Sequence, residues 1–248
     1  MDPSLTVSVV MPAYNEVDGI VGFLAEIVSA FSAWDLHIEV VDDCSTDGTA
    51  DAVEAWAAQE QAPVTVTRSA HNRGHGPTTL TALRRGLERA PHVVVAVDGD
   101  GQVHAEDLAR LAGLALAPGV AVVEGVRAHR DDPFFRHATS LATRLLVGVR
   151  ARSLPKDANT PVRAYRLAAL TTLLAEVPDA AMTPNLYIAT LARRRRLVIV
   201  QAEVPWFDRR GRTKAGTSWG QKRTHVPSKR FVRFCIDATK QWLAWSPR

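Results

Sequence analysis

Cysteine is scarce in this chain. Only Cys44 and Cys235 carry thiols among 248 residues, far apart and in no ligand-like spacing, which leaves no basis for a disulfide framework or a cysteine zinc site. Long apolar runs are missing as well: none approaches the ~20 residues that a bilayer-crossing helix needs. The opening Met1-Asp2-Pro3-Ser4-Leu5-Thr6 has neither the basic start nor the apolar core of a secretory signal, so the expected compartment is the cytoplasm. No internal repeat or low-complexity tract is legible, and the 8 histidines form no ligand-like cluster. No nucleic-acid recognition module can be read either, so no nucleic-acid partner is expected.

What is present is a globular composition, 46% hydrophobic and 23% charged, with ample material for a core. The formal net charge of +4 hides an asymmetry: residues 193–248 hold 15 Lys+Arg against 3 acids, whereas the preceding residues hold 15 against 23. A basic tail on an acidic body suits phosphates, whether of a nucleotide, a lipid head group or a membrane surface.

Strand and helix signals alternate, which predicts an α/β fold with a mostly parallel central sheet flanked by helices. Strands are expected at Val7–Met11, His37–Val41, Val64–Thr67, Val93–Val97, Val120–Glu124 and Leu197–Val200. Helices are expected at Glu16–Ala33, Ala50–Gln59, Thr78–Arg89, Glu106–Leu116, Phe134–Val149, Leu167–Glu176 and Leu186–Arg195. Residues 157–163 read as a turn-rich crossing and Trp206–Lys222 as a mobile basic loop. A body over 1–226, with a donor half to about 125 and an acceptor half from 126, precedes a basic amphipathic helix over 227–248.

The most informative stretch is Val93-Val94-Val95-Ala96-Val97-Asp98-Gly99-Asp100-Gly101-Gln102. Its apolar run reads as a strand buried on both faces, and its carboxylates must leave the sheet at the carboxyl edge, where open α/β folds bind ligands. Asp98 and Asp100, with the Gln102 amide nearby, offer hard oxygen ligands of the kind Mg²⁺ or Mn²⁺ takes while holding phosphates. An ordinary strand-to-turn exit is the competing explanation.

Four segments in order carry a resemblance: Met11-Pro12-Ala13-Tyr14-Asn15-Glu16, Val41-Asp42-Asp43-Cys44-Ser45-Thr46-Asp47-Gly48-Thr49, Asn72-Arg73-Gly74-His75-Gly76 and Asp98-Gly99-Asp100-Gly101-Gln102. Together they resemble family-two inverting glycosyltransferases, and within them the dolichol-phosphate mannose synthase and polyprenyl-phosphate hexose synthase branch. The resemblance implies a GT-A-type nucleotide-sugar-binding fold with Mg²⁺ or Mn²⁺ on the diphosphate. It implies that Pro12, Tyr14 and Glu16 touch the nucleoside, that Val41 and Asp43 hold base and ribose, and that Arg73, Gly99 and Arg210 face the diphosphate sugar. Asp98, Asp100 and Gln102 match the metal-binding set, with Asp100 central to catalysis. The chain departs from the family pattern at Cys44, at His75 where lysine is frequent, and at Thr160-Pro161-Val162-Arg163.

The same resemblance implies a UDP- or GDP-hexose donor and a polyprenyl phosphate acceptor, which needs cations and no general base. Arg127 matches the acceptor-side arginine and is expected to act in catalysis. Arg136 and Arg144 follow at helical spacing, and Arg209, Arg210, Arg212 and Lys214 would close over the diphosphate. A hydroxyl acceptor would instead call for a carboxylate base, for which Asp157 and Asp179 are the candidates, each also suited to a turn or cap. A soluble acceptor such as a natural product or glycan, or a non-catalytic nucleotide-sugar-binding protein, are the alternatives. The C-terminal helix predicts either packing on protein, with a homo-oligomer among the options, or a peripheral membrane contact.

Overall fold

A computed structural model describes residues 5–128, 134–211 and 228–246, with the side chains of 134–138 outside that description. Among the described residues the sheet holds seven strands in the order β3-β2-β1-β4-β6-β5-β7. In chain order these are β1 (Thr6–Ala13), β2 (Asp35–Asp42), β3 (Val64–Arg68), β4 (Val93–Ala96), β5 (Val120–Ala128), β6 (Arg163–Arg166) and β7 (Val198–Pro205). The helices are α1 (Ile20–Ala30), α2 (Thr49–Glu60), α3 (His75–Leu87), α4 (Ala105–Ala115), α5 (Phe134–Ala151), α6 (Leu167–Leu174), α7 (Pro184–Arg194) and α8 (Lys229–Ala244). Among the described residues no helix is long and apolar enough to cross a membrane.

β1 pairs in parallel with β2 and β4, β2 with β3, and β5 with β7. Only β6 runs the other way, antiparallel to both β4 and β5. β4 and β5 therefore point in the same direction, and the carboxyl ends of six strands lie along one edge. The valine run of β4 behaves as a strand covered on both faces. Val93, Val95 and Val97 join the core under α1 and α4, while Val94 and Ala96 join the core beneath α3, α6 and α7.

The expected elements are present with shifted ends. The first helix starts at Ile20 rather than Glu16, because residues 16–19 form a turn in which the Glu16 carbonyl accepts from the Gly19 and Ile20 N–H groups. β6 was not expected: Arg-Ala-Tyr-Arg lacks an apolar alternation, yet Arg163, Ala164 and Tyr165 are fully buried. Glu124 makes that possible, since its carboxylate stands 3.6 Å from the Arg163 guanidinium and accepts from Arg193 Nη1 at 2.9 Å and Nη2 at 2.6 Å. Gln201 Nε2 donates to the same carboxylate at 3.0 Å. Burial opposes ionisation of Glu124, but the Arg193 hydrogen bonds and the Arg163 charge outweigh it and hold the carboxyl below its ordinary value.

Candidate active site

The loops after β1, β2, β3 and β4 meet at the common edge, and side chains from one loop hold the backbone of the next. Asn15 sits in left-handed backbone with φ 56, a region Asn tolerates better than most residues. Its Oδ1 accepts from Thr46 N at 2.9 Å, and its N–H donates to Ser45 Oγ at 2.9 Å. Asp47 accepts from Thr49 N at 3.0 Å in the first turn of α2, and from Val17 N at 3.2 Å. Asp43, buried, accepts from Arg73 N and Gly74 N, both at 2.8 Å. The β1, β2 and β3 loops thus form one hydrogen-bonded rim.

Asp98 and Asp100 leave β4 at that rim, as the strand-exit argument predicted. Gly99 donates to the Pro12 carbonyl at 3.2 Å, tying this turn to the end of β1; a Cβ there would meet that oxygen at 3.0 Å. Burial first, and the Asp98 charge second, push the Asp100 carboxyl up from 3.8 to about 7, against the Gln102 N–H that donates to it at 3.3 Å. His75 Nε2, at the start of α3, stands 3.6 Å from Asp98 Oδ1. Two crowded carboxylates of this kind fit a divalent cation, which would relieve their mutual repulsion. No group of three or more His, Cys, Asp or Glu side chains converges on a cation site among the described residues.

Several expected contacts are placed differently. Val41 is fully buried in the core with Leu80 and Leu83, and the Pro12 side chain is buried too, so neither presents a side chain to a nucleoside. Only their backbone can serve there. Glu16 is largely buried at the rim and pairs with Arg209, whose Nε donates at 3.0 Å. Tyr14 is half-buried at the rim, and Arg73 is exposed with Nη1 reaching Thr81 Oγ1 at 3.3 Å.

The described part of the basic loop, 206–211, is docked rather than mobile. Phe207 N donates to the Gln102 carbonyl at 2.9 Å, Gln102 Nε2 to the Phe207 carbonyl at 2.9 Å, and Arg210 N to the Asp100 carbonyl at 3.0 Å. Gln102 thereby commits its amide nitrogen to the loop and keeps its Oε1. Arg210 is not placed against a diphosphate: its guanidinium pairs with Glu26 at 2.5 and 2.8 Å, donates to the Gly101 carbonyl at 2.8 Å and stacks 5.0 Å over Phe23. Its hydrogen bond holds the Glu26 carboxyl below the usual range. Gly101 has φ +65 and lies so close that a Cβ would meet Arg210 Cδ at 2.5 Å, which leaves room for glycine alone. His104 stands at the N-cap position of α4 without a side-chain capping bond and packs its ring 4.2 Å from Phe207.

On the far side of the rim, Arg127 at the end of β5 grips Asp157 with two hydrogen bonds of 2.6 and 2.9 Å and lies 5.3 Å over the Trp206 ring. Arg144 donates to the Pro155 carbonyl at 2.9 Å, along the segment that carries Asp157 back towards Arg127. Arg212 and Lys214 lie outside the described residues, as does the side chain of Arg136. Asp179 is exposed and pairs with Arg84 at 2.5 Å. Asp157 as the partner of Arg127, and Asn15 as the bracket between loops, were not legible, because their partners lie about 30 residues away without local signal.

A family model described as glycosyl transferase family 2 matches residues 8–173, from β1 into α6. Among curated relatives, a protein named undecaprenyl-phosphate 4-deoxy-4-formamido-L-arabinose transferase of Serratia proteamaculans is 28% identical over 211 residues, which make up 84% of this chain and 63% of that protein. The chain thus spans less than two thirds of that relative's length. A solved mannosyltransferase from Pyrobaculum calidifontis in complex with GDP-Man and Mn²⁺ superposes with a TM-score of 0.60 at 24% identity, over 88% of this chain and 59% of that one. Glucosyl-3-phosphoglycerate synthase from Mycobacterium tuberculosis in complex with phosphoglyceric acid gives 0.65 at 20% identity, over 97% and 79%. These structures share the GT-A fold expected from the four segments. With more than half of its length matched, and with the β4 carboxylates standing at the sheet edge the fold prescribes, the chain belongs to glycosyl transferase family 2.

Proposed function

We propose that this protein transfers a hexosyl group, with inversion, from a nucleotide diphosphate sugar to a polyprenyl phosphate. The observation that carries this reading is the division of charge along one sheet edge. The crowded Asp98 and Asp100 carboxylates at the end of β4 support a cation-and-diphosphate position there, and Arg127 stands at the end of β5 on the other side. A phosphate acceptor is already ionised at neutral pH and needs no general base. Of the two carboxylates that might have served as one, Asp157 is held in an ion pair by Arg127 itself and Asp179 pairs with Arg84 at the surface, which favours an anionic acceptor over a hydroxyl.

In this reading Asp98, Asp100 and the Gln102 side-chain carbonyl oxygen would hold a divalent cation. When bound, such an ion neutralises the charge that builds on the departing nucleoside diphosphate. The rim of Tyr14, Glu16 and Asp43 receives the nucleoside, with Arg209 yielding Glu16 to ribose hydroxyls; a carboxylate accepts two such bonds at once. Arg127, steadied by Asp157 and Trp206, turns the acceptor phosphate towards the anomeric carbon. A phosphate oxygen forms the new bond to that carbon from the face opposite the leaving group. The bond from the anomeric carbon to the diphosphate breaks, and its electron pair leaves with the nucleoside diphosphate.

A second reading, transfer to a soluble acceptor, draws on the likeness over 97% of the chain to the synthase solved with phosphoglyceric acid. Purified protein incubated with Mn²⁺ or Mg²⁺, a panel of UDP- and GDP-hexoses and a short-chain polyprenyl phosphate separates them by mass spectrometry. A glycosyl phospholipid is the expected product and identifies the donor as well. Donor hydrolysis without lipid product moves the assignment to a soluble acceptor, and no turnover of any donor overturns the enzymatic reading.

A further inference from the structure

α8 docks on the body through one face and leaves a second apolar stripe uncovered. Its inner face buries Phe231, Ala238 and Trp242. Gln241 accepts from Met182 N at 2.8 Å and donates to the Ala180 carbonyl at 2.7 Å, and Trp245 packs 4.7 Å from Tyr187. These contacts account for the helix being held, and they do not involve Val232, Ile236 and Leu243. Those three recur at i, i+4 and i+11, on one side of the helix.

α5 lies beside α8 and runs in the same direction. Near its carboxyl end Arg150 donates to the carbonyls of Trp242, Leu243 and Trp245 at 3.0, 2.8 and 2.6 Å and stacks 4.3 Å over the Trp242 ring. Near its other end Thr139 shares with Phe231, Val232 and Ile236 a shallow groove of about 430 Å³. α5 carries its own uncovered stripe, Leu141, Leu145 and Val149, each four residues after the last. Exposure across the six residues of the two stripes runs from 42% for Val232 to 82% for Val149. Of the ten large apolar side chains that stand most exposed among the described residues, eight lie on α5, α8 or the segment just after α5. Elsewhere single exposed apolar residues are ordinary; a concentration of this kind marks a contact surface.

Charge selects the occupant. α8 bears Lys229, Arg230, Arg233 and Lys240 against Asp237 alone, and α5 contains no acidic residue. Two copies meeting through this face would oppose like charges, whereas a bilayer surface with anionic head groups supplies both the apolar layer and the counter-charge. We infer that the outer faces of α5 and α8 together form a membrane-interface platform that seats the protein on an anionic bilayer. The platform rests on exposure and charge and does not depend on the acceptor being a lipid. It would nevertheless deliver the Arg127 end of the sheet edge to a lipid phosphate, since α5 begins close after that edge.

Co-sedimentation of the full chain with vesicles tests it. Binding to vesicles containing phosphatidylglycerol, weakening as salt rises, and little binding to phosphatidylcholine alone are expected. The exposed double substitution Ile236→Glu and Leu243→Glu should weaken partition about tenfold or more, and Leu145→Glu with Val149→Glu should do so independently. The circular dichroism spectrum, urea midpoint and nucleotide-sugar binding measured without vesicles should stay unchanged in both. Vesicle binding that survives both substitutions, or absence of binding by the unaltered chain, overturns the proposal. So does a dimer in light scattering that the same substitutions dissociate, because the face then serves a second copy. Vesicle binding without any transfer to lipid phosphate would support the platform while removing the lipid acceptor, so the two readings fail separately.

Discussion

The two halves of the sheet edge are held together by different chemistry. Along β1 to β4, short polar side chains grip backbone N–H groups: Asn15 takes Thr46, Asp42 takes Ser45, Asp43 takes Arg73 and Gly74, and Asp47 takes Val17 and Thr49. Along β5 to β7, arginines grip carboxylates: Arg127 with Asp157, and Arg163 and Arg193 with Glu124. The first scheme fixes loop shape and leaves the side chains of Glu16 and Asp98 at the rim. The second ties β5, β6 and α7 together through paired charges. Under the proposed function the first scheme would shape a donor pocket and the second would line the acceptor side.

The largest effect should come from the buried charges of the second half. Glu124→Leu leaves two buried guanidinium groups without their carboxylate, and urea unfolding should show a loss of about 3–5 kcal/mol. A loss below about 1 kcal/mol would mean that the cluster is not a structural keystone. Next in size, Asp100→Ala should lower donor turnover about 10²–10³-fold, equivalent to about 3–4 kcal/mol of barrier, and flatten its dependence on Mn²⁺. Turnover that keeps its cation dependence would remove Asp100 from the cation position.

The raised Asp100 pKa makes a separate, smaller prediction with a definite sign. Between its ordinary 3.8 and about 7 the folded protein binds a proton that the unfolded chain has released. The metal-free protein should therefore lose stability as pH rises through that window. Asp100→Asn should raise the unfolding temperature in metal-free buffer at alkaline pH, and added Mn²⁺ should close the gap from the unaltered side. Equal pH profiles for the two proteins would show that Asp100 is not strained by its surroundings.

Asp157→Asn removes the charge that steadies Arg127, and the KM for acceptor should rise about tenfold, or about 1.4 kcal/mol, with the KM for donor unchanged. A change confined to the donor would place Arg127 on the wrong side of the edge. Of similar size, Asn15→Ala costs the bond to Thr46 N and a left-handed residue that Ala tolerates poorly, about 1–2 kcal/mol by thermal unfolding. An effect on donor KM beyond that loss would show how far the rim shapes the nucleoside position.

Legibility followed the range over which the determining contacts act. The valine run of β4 and its abrupt carboxylate exit are local, and they located both the central strand and the carboxylate pair at its carboxyl edge. The Arg-Ala-Tyr-Arg strand was illegible because its burial depends on Glu124, 39 residues before Arg163 in the chain. Arg210 drew attention as a cation beside a proposed diphosphate, but Glu26 on α1 and the Gly101 carbonyl claim it. Val41 was taken for a nucleoside contact from its neighbours in the motif, and the pleat turns its side chain into the core instead.

The sequence by itself determined the alternation of strands and helices, the four edge loops and the family they announce. Each of these rests on periodicity or on residues that act within a few positions of one another. Tertiary structure decided the antiparallel β6, the pairing of Arg127 with Asp157, the docking of residues 206–211 on the Asp100 turn and the two-sided character of α8. In every one of those cases a charge or an apolar surface finds its partner across the fold, and only the folded chain defines which groups are near enough to meet.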